Sequence, residues 1–154
     1  MQLSETVTLD ISDIIAILAA LISGLSALYA RWAYSEARRS NEITLLSHRK
    51  EIFDAFFELK IHMTQRSMRA ELEQVSKFYY PSRDSTIYFE SELSDKILKF
   101  YDSCFKVADL ARTGNVLYPN ESEEIKSSYA SAMAISSEVE SGLLKIIKQC
   151  ATNR

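Results

Sequence analysis

The chain has 154 residues, 47% hydrophobic and 25% charged, which excludes a disordered or fibrous protein and sets the scale at one domain, or one domain with an appendage. Three glycines and two prolines are too few for the many turns of an all-β fold, and two cysteines exclude a disulfide-dense scaffold or a cysteine-rich zinc site. A net charge of -3 offers no basic excess for nucleic acid.

The charge is unevenly placed. All 18 Lys and Arg residues lie at or after Arg31, and the first 30 residues carry only Glu5, Asp10 and Asp13. The remainder holds 21 minus 3, or 18, acidic residues against 18 basic ones. An acidic tail, residues 1–13, thus precedes an uncharged stretch and a neutral body.

Ile14 to Ala30 runs for 17 residues without a charge. At about 1.5 Å per residue it reaches about 25 Å, the short end of the transmembrane range. A transmembrane helix is expected over residues 14–33. Tyr29, Trp32 and Tyr34 gather at its C-terminal edge as an interfacial aromatic belt would, and Arg31, Arg38 and Arg39 follow as a basic membrane-interface flank, with Arg49 and Lys50 beyond them, against only Glu36 and Glu42. This basic run is read as fixing topology, with attraction of anionic lipid heads as the alternative. The positive-inside rule places the tail outside and the body in the cytoplasm. A cleaved signal peptide is disfavoured by the acidic tail and by Leu28-Tyr29-Ala30, a poor small-x-small site. A buried helix of a soluble bundle is disfavoured because such a helix rarely lacks charge for so long.

Within this span Ala16, Ala20, Ser23, Ala27 and Ala30 recur at four, three, four and three, and Gly24 completes a small-xxx-small pair with Ala20. Small residues let helix backbones approach closely in lipid. This row is therefore read as a transmembrane association face, against the alternative that small residues are simply common in such helices.

Residues 34–42 read as a polar, basic juxtamembrane stalk. Residues 43–154 read as a cytoplasmic helical bundle. Ile52, Phe56, Leu59 and Met63 mark one apolar helix face, and Phe53, Phe57 and Ile61 a neighbouring one. Thr64 to Ala70 is weakly apolar, which admits a break. Met68, Leu72, Val75 and Tyr79 then continue a helical period. Pro81 to Ser85 reads as a turn and Thr86 to Phe89 as a short β-prone stretch. A further helix is predicted from about Ser91 to Arg112, with Leu93, Ile97, Tyr101, Cys104 and Ala108 inward and Gly114 as its C-cap. The last helix is expected to be capped by Asn120 and Glu123, with Ile125, Tyr129, Ala132, Ser136, Val139, Leu143, Ile146 and Cys150 forming one stripe. The fold class expected is all-α: a transmembrane helix continuing into a long cytoplasmic helix, packed with two further long helices as a three-helix bundle.

Little points to chemistry. His48 and His62 lie 14 residues apart, about 21 Å along one helix, and cannot share a metal. Glu58 and His62, at i,i+4, read as an ordinary surface pair. Cys104 and Cys150 read as buried structural thiols in preference to a redox pair. There is no phosphate-cradling loop, catalytic triad pattern or paired-carboxylate signature, so no enzyme, cofactor, metal or small-molecule substrate is expected. Nucleic acid is not an expected partner, because the aromatics follow core stripes. Tyr79, Tyr80, Tyr88 and Phe89 form a candidate partner patch, with closure of the bundle end as the alternative.

Asp10 to Ile43 resembles the start of many small uncharacterised bacterial proteins with an N-terminal single-pass membrane anchor and a helical cytoplasmic body. The matching residues are Tyr29-Ala30-Arg31 and Glu36-Ala37-Arg38-Arg39-Ser40-Asn41-Glu42. The resemblance covers about a quarter of the chain and implies a bacterial inner-membrane setting. Proteins of this build recur among accessory and phage-defence genes, and it carries over no catalytic residue. The function expected is a membrane-anchored interaction module, an anchor or adaptor that assembles through its transmembrane helix as a homo-oligomer or with a membrane or cytoplasmic protein. The alternative is an oligomerising membrane effector that perturbs the bilayer when triggered.

Overall fold

The computed structural model describes residues 10–113 and 119–152, and among these the regular structure is entirely helical. Five α-helices follow in order: α1 (Ile11–Arg66), α2 (Leu72–Ser76), α3 (Tyr79–Tyr88), α4 (Ser91–Thr113) and α5 (Pro119–Thr152). A 3-10 turn, Ser67–Arg69, joins α1 to α2. The chain divides into two compact units, Met1–Ile43 and Thr44–Arg154, and the division falls within α1.

From Ile11 onward the first unit is the beginning of α1. Nothing in this stretch interrupts the i→i−4 ladder, since it has no proline and its one glycine, Gly24, is accommodated in the helix. The large apolar side chains are exposed throughout, from Ile43 at 46% to Ile11 at 76%.

The second unit has a core of its own. Ile52, Phe56, Leu59 and Met63 on α1 meet Ile97, Phe100, Tyr101, Cys104, Val107 and Ala108 on α4, and Ala132, Val139 and Leu143 on α5. Its centre is an aromatic triad. The ring of Phe56 lies 5.0 Å from Phe100 and 6.4 Å from Phe78, and Phe78 lies 6.3 Å from Phe100. Tilted and edge-on geometries at these distances favour aromatic pairs beyond their burial. Charges stitch the long helices at the rim: Lys60 of α1 to Glu140 of α5, Lys96 of α4 to Glu138 of α5 at 3.2 Å, and Lys106 of α4 to Glu124 of α5 at 2.7 Å.

The unit contains more than the three long helices expected. α1 stops at Arg66 because Ser67 adopts a left-handed backbone with φ 52°, the conformation that ends many helices. The break falls inside Thr64–Ala70. Beyond it the helical phase restarts, so Val75 and Phe78 are buried while Met68 and Tyr79 are 40% and 41% exposed. Residues 79–88 are helix α3, not a turn and a β-prone stretch. Pro81 sits in the first turn of α3, where a missing N–H costs nothing. Ser82 and Ser85, both fully buried, donate their hydroxyls to Tyr79 O at 2.7 Å and Ser82 O at 2.6 Å. The polar letters that read as a turn are thus satisfied inside the helix.

α5 is described from Pro119; the side chain of Asn120, and with it the expected cap, lies outside what is described, and the Glu123 carboxylate accepts from Lys126 at 2.9 Å. The expected C-cap, Gly114, lies outside the described residues. The predicted α5 stripe faces the core: Ala132, Ser136, Val139 and Leu143 are buried, and Ile125, Tyr129 and Ile146 pack partly against them.

Candidate functional site

The surface that stands apart chemically is the apolar part of α1. It is the one described helix long and apolar enough to cross a membrane, judged by length and composition, and none of that window is buried. A core helix of a soluble protein passes the same test of length and composition but is mostly buried. Ala16, Ala20, Ser23, Gly24, Ala27 and Ala30 are all exposed. A Cβ added at Gly24 would meet nothing within 4 Å.

The two serines of this span differ. Ser26 donates its hydroxyl to Ile22 O at 2.8 Å, which removes its need for an outside partner. Ser23 stands in the small-residue row. At the C-terminal edge the rings of Tyr29 and Trp32 lie 6.2 Å apart, and Arg31, Tyr34, Arg38 and Arg39 are exposed with them. Arg38 is paired with Glu42 at 3.2 Å, so one charge of the basic flank is neutralised locally.

The candidate aromatic patch of the second unit is not one surface. Tyr79 and Tyr80 begin α3, and Tyr88 ends it, about 13 Å further along the axis. Tyr79 packs on Tyr80 at 5.3 Å and Tyr101 at 5.8 Å, with the Arg83 guanidinium 5.6 Å from its ring. Burial, with Asp102 and Tyr79 nearby, raises the Tyr101 phenol above its usual range, against an opposing pull from Arg83. Tyr88 and Phe89 belong to a different cluster. Tyr88 stacks on His48 at 5.0 Å, and Phe89 is buried in the core with the Arg49 guanidinium 5.9 Å from its ring.

Sequence reasoning read Arg49 with the basic residues that follow the span; the structure turns it to the second unit instead. Its Nε donates to Tyr88 O at 3.0 Å and its Nη1 to Cys150 Sγ at 3.2 Å, which ties the ends of α3 and α5 to α1. Nothing in local spacing signals a pair separated by 101 residues.

The histidines are engaged separately. His48 Nδ1 lies 3.3 Å from Glu51. His62 Nε2 accepts the Glu71 N–H at 3.1 Å, a backbone partner in place of the expected Glu58 pair. This hydrogen bond serves the start of α2, whose N-cap residue, Glu71, makes no side-chain cap. Both cysteines are free. Burial pushes the Cys104 thiol far up, which suits an inert core thiol. Lys96, held by Glu92 at 3.0 Å and Glu138 at 3.2 Å, has its ammonium stabilised and its pKa raised. A cavity of about 280 Å³ beside His62 is lined by Glu58, Gln65, Gln74 and Lys77 over Leu59 and Phe78. Among the described residues no group of three acidic, histidine or cysteine side chains is placed to hold a metal.

No family model matches the chain. No curated protein and no solved structure matches it either.

Proposed function

We propose that this chain is a single-pass membrane-anchored interaction module of the bacterial inner membrane, without enzymatic activity. Its N-terminus lies outside and its helical body in the cytoplasm. The observation that carries this reading is the complete exposure of the apolar stretch of α1, while the second unit closes a core from its own residues. Leaving that many apolar side chains in water is unfavourable by about 25 cal/mol per Å², and a bilayer removes the cost. The lack of any Lys or Arg before Arg31, against Arg31, Arg38 and Arg39 after the span, supports the orientation.

The small-residue row supports assembly of the anchor with a second transmembrane helix, in the first instance that of another copy. The body, with its three long helices as the frame of a bundle, is then presented to a cytoplasmic protein. An adaptor is favoured over a bilayer-perturbing effector, because Ser23 and Ser26 are the polar residues of the span and Ser26 already satisfies itself. They provide little to line a pore.

The test is purification from membranes in mild detergent, with mass and subunit composition determined together. A stoichiometric second protein supports the adaptor. A homo-oligomer alone, accompanied by loss of membrane potential on induced expression, overturns the adaptor in favour of the effector. Release from membranes without detergent overturns the anchor.

A further inference from the structure

The join between α1 and α2 includes a contact whose chemistry fixes a protonation state. Nε2 of the half-buried His62 lies 3.1 Å from the backbone nitrogen of Glu71. A backbone N–H only donates, so Nε2 offers a lone pair, and the ring is the neutral tautomer with its proton on Nδ1. An imidazolium donates from both nitrogens and cannot make this contact. Glu71 is the N-cap of α2, so its N–H is one of the donors that a helix start leaves without an internal partner. The connector before it holds Ser67 at φ 52°, a left-handed backbone that a serine adopts at a cost. Beyond it Val75 and Phe78 enter the core, and Leu59 and Phe78 lie under the cavity of about 280 Å³ beside the ring.

We propose that His62 is a pH-sensitive clasp: the neutral ring holds the start of α2 on α1, and protonation frees it and loosens α2 over Leu59 and Phe78. Imidazole is the side chain whose ordinary titration falls between pH 5 and 8. The charged groups on the same cavity are Glu58 from α1 and Lys77 from the end of α2. Arg66 and Glu71 pair at 3.3 Å across the connector, and Arg69 and Glu73 carry the remaining charges of the connector and α2. Ordinary carboxylates, lysines and arginines keep one charge over that interval, so the ring is the group here whose charge changes. The contact is therefore held at and above neutral pH and lost as pH falls.

The response is graded. Losing one hydrogen bond of this kind raises the population with α2 open about fivefold and leaves the packing of the long helices in place. The groups involved all belong to the second unit, so the clasp stands or falls apart from the membrane anchor.

The experiment is nuclear magnetic resonance of the full isotope-labelled chain in detergent, titrated from about pH 7.5 to about pH 5. The expected result at the upper end is a His62 ring protonated at Nδ1. On acidification the amide peaks of residues 67–76 should shift with the midpoint of that ring. Amide exchange at Val75 and Phe78, corrected for its intrinsic pH dependence, should speed up about fivefold. His62→Gln keeps an acceptor and does not titrate, so its connector peaks should stay in place over the same range. His62→Lys, a permanent donor, should put them near their acid positions already at the upper end. His48 is unchanged in both variants, so its own titration cancels from the comparison. A ring protonated at Nε2 at the upper end overturns the clasp. Connector peaks that stay fixed while the ring titrates, or that shift equally in His62→Gln, overturn it too. The titration of the unaltered chain decides the matter even where a variant fails to fold.

Discussion

Leu25 and Leu143 are the same side chain in opposite circumstances. Leu25, in the first unit, is 66% exposed, whereas Leu143, in the second, is fully buried between helices. The glycines repeat the contrast. A Cβ at Gly24 meets open space, while a Cβ at Gly142 would lie 2.8 Å from Leu93 Cδ1. The second unit stabilises itself by excluding water from its own packing. Among the described residues the first leaves its apolar surface exposed, and on the membrane-anchored reading proposed above lipid or another helix covers it. If one helix serves two environments as proposed, each substitution is expected to disturb one of them alone.

The sharpest way to break this contrast is Phe56→Ala. Removing the centre of the aromatic triad is expected to destabilise the body by about 3–5 kcal/mol in urea unfolding of the detergent-solubilised chain. Retention in alkaline-washed membranes should not change; if it falls, the two units are not energetically separate. The converse is Leu21→Lys, which places a charge in mid-span at a cost of about 2.5–3.5 kcal/mol for insertion. The membrane-retained fraction should drop while the urea midpoint of the body stays put.

The glycine pair refines the comparison. Gly142→Leu must displace Leu93 and is expected to cost the body about 1–3 kcal/mol. Gly24→Leu should leave the urea midpoint untouched yet abolish anchor assembly, read as loss of the oligomer in detergent. An oligomer that survives Gly24→Leu removes the small-residue row from the association face. The smallest effect expected is Ser67→Gly. Relieving the left-handed serine should stabilise the body by about 1 kcal/mol, seen as a higher urea midpoint with an unchanged slope.

The long elements were legible because their patterns are long. The uncharged run from Ile14 to Ala30 and the α5 stripe each hold one period over many turns, so a few exceptions do not obscure them. α4 was read to within a residue of its observed end. The segment between α1 and α4 was not legible. Ser67 terminates α1 without glycine or proline, and no local letter marks it. α3 hides behind Pro81, Ser82 and Ser85, residues that favour turns until tertiary packing lets serine hydroxyls bond to carbonyls one turn back. Phe78 was missed because the phase of α1 does not carry through the break. The four aromatics proposed as one patch are neighbours in sequence, but a helix of 10 residues separates them into two clusters. Arg49 was read with the basic run after the span because its partners, 39 and 101 positions away, leave no local signal.

Arg49 has a consequence for how the second unit opens. Tyr88 is the last residue of α3, and Cys150 stands two residues before the end of α5. A cation at a helix C-terminus opposes the negative end of the helix dipole, and this single guanidinium stands at two such ends at once. Fraying at either end normally proceeds alone, with a free energy near zero. Here, unwinding the tail of α3 removes a contact that also restrains the tail of α5. The two ends are thus expected to gain protease sensitivity and amide exchange together, as one latch and not as two loose tips.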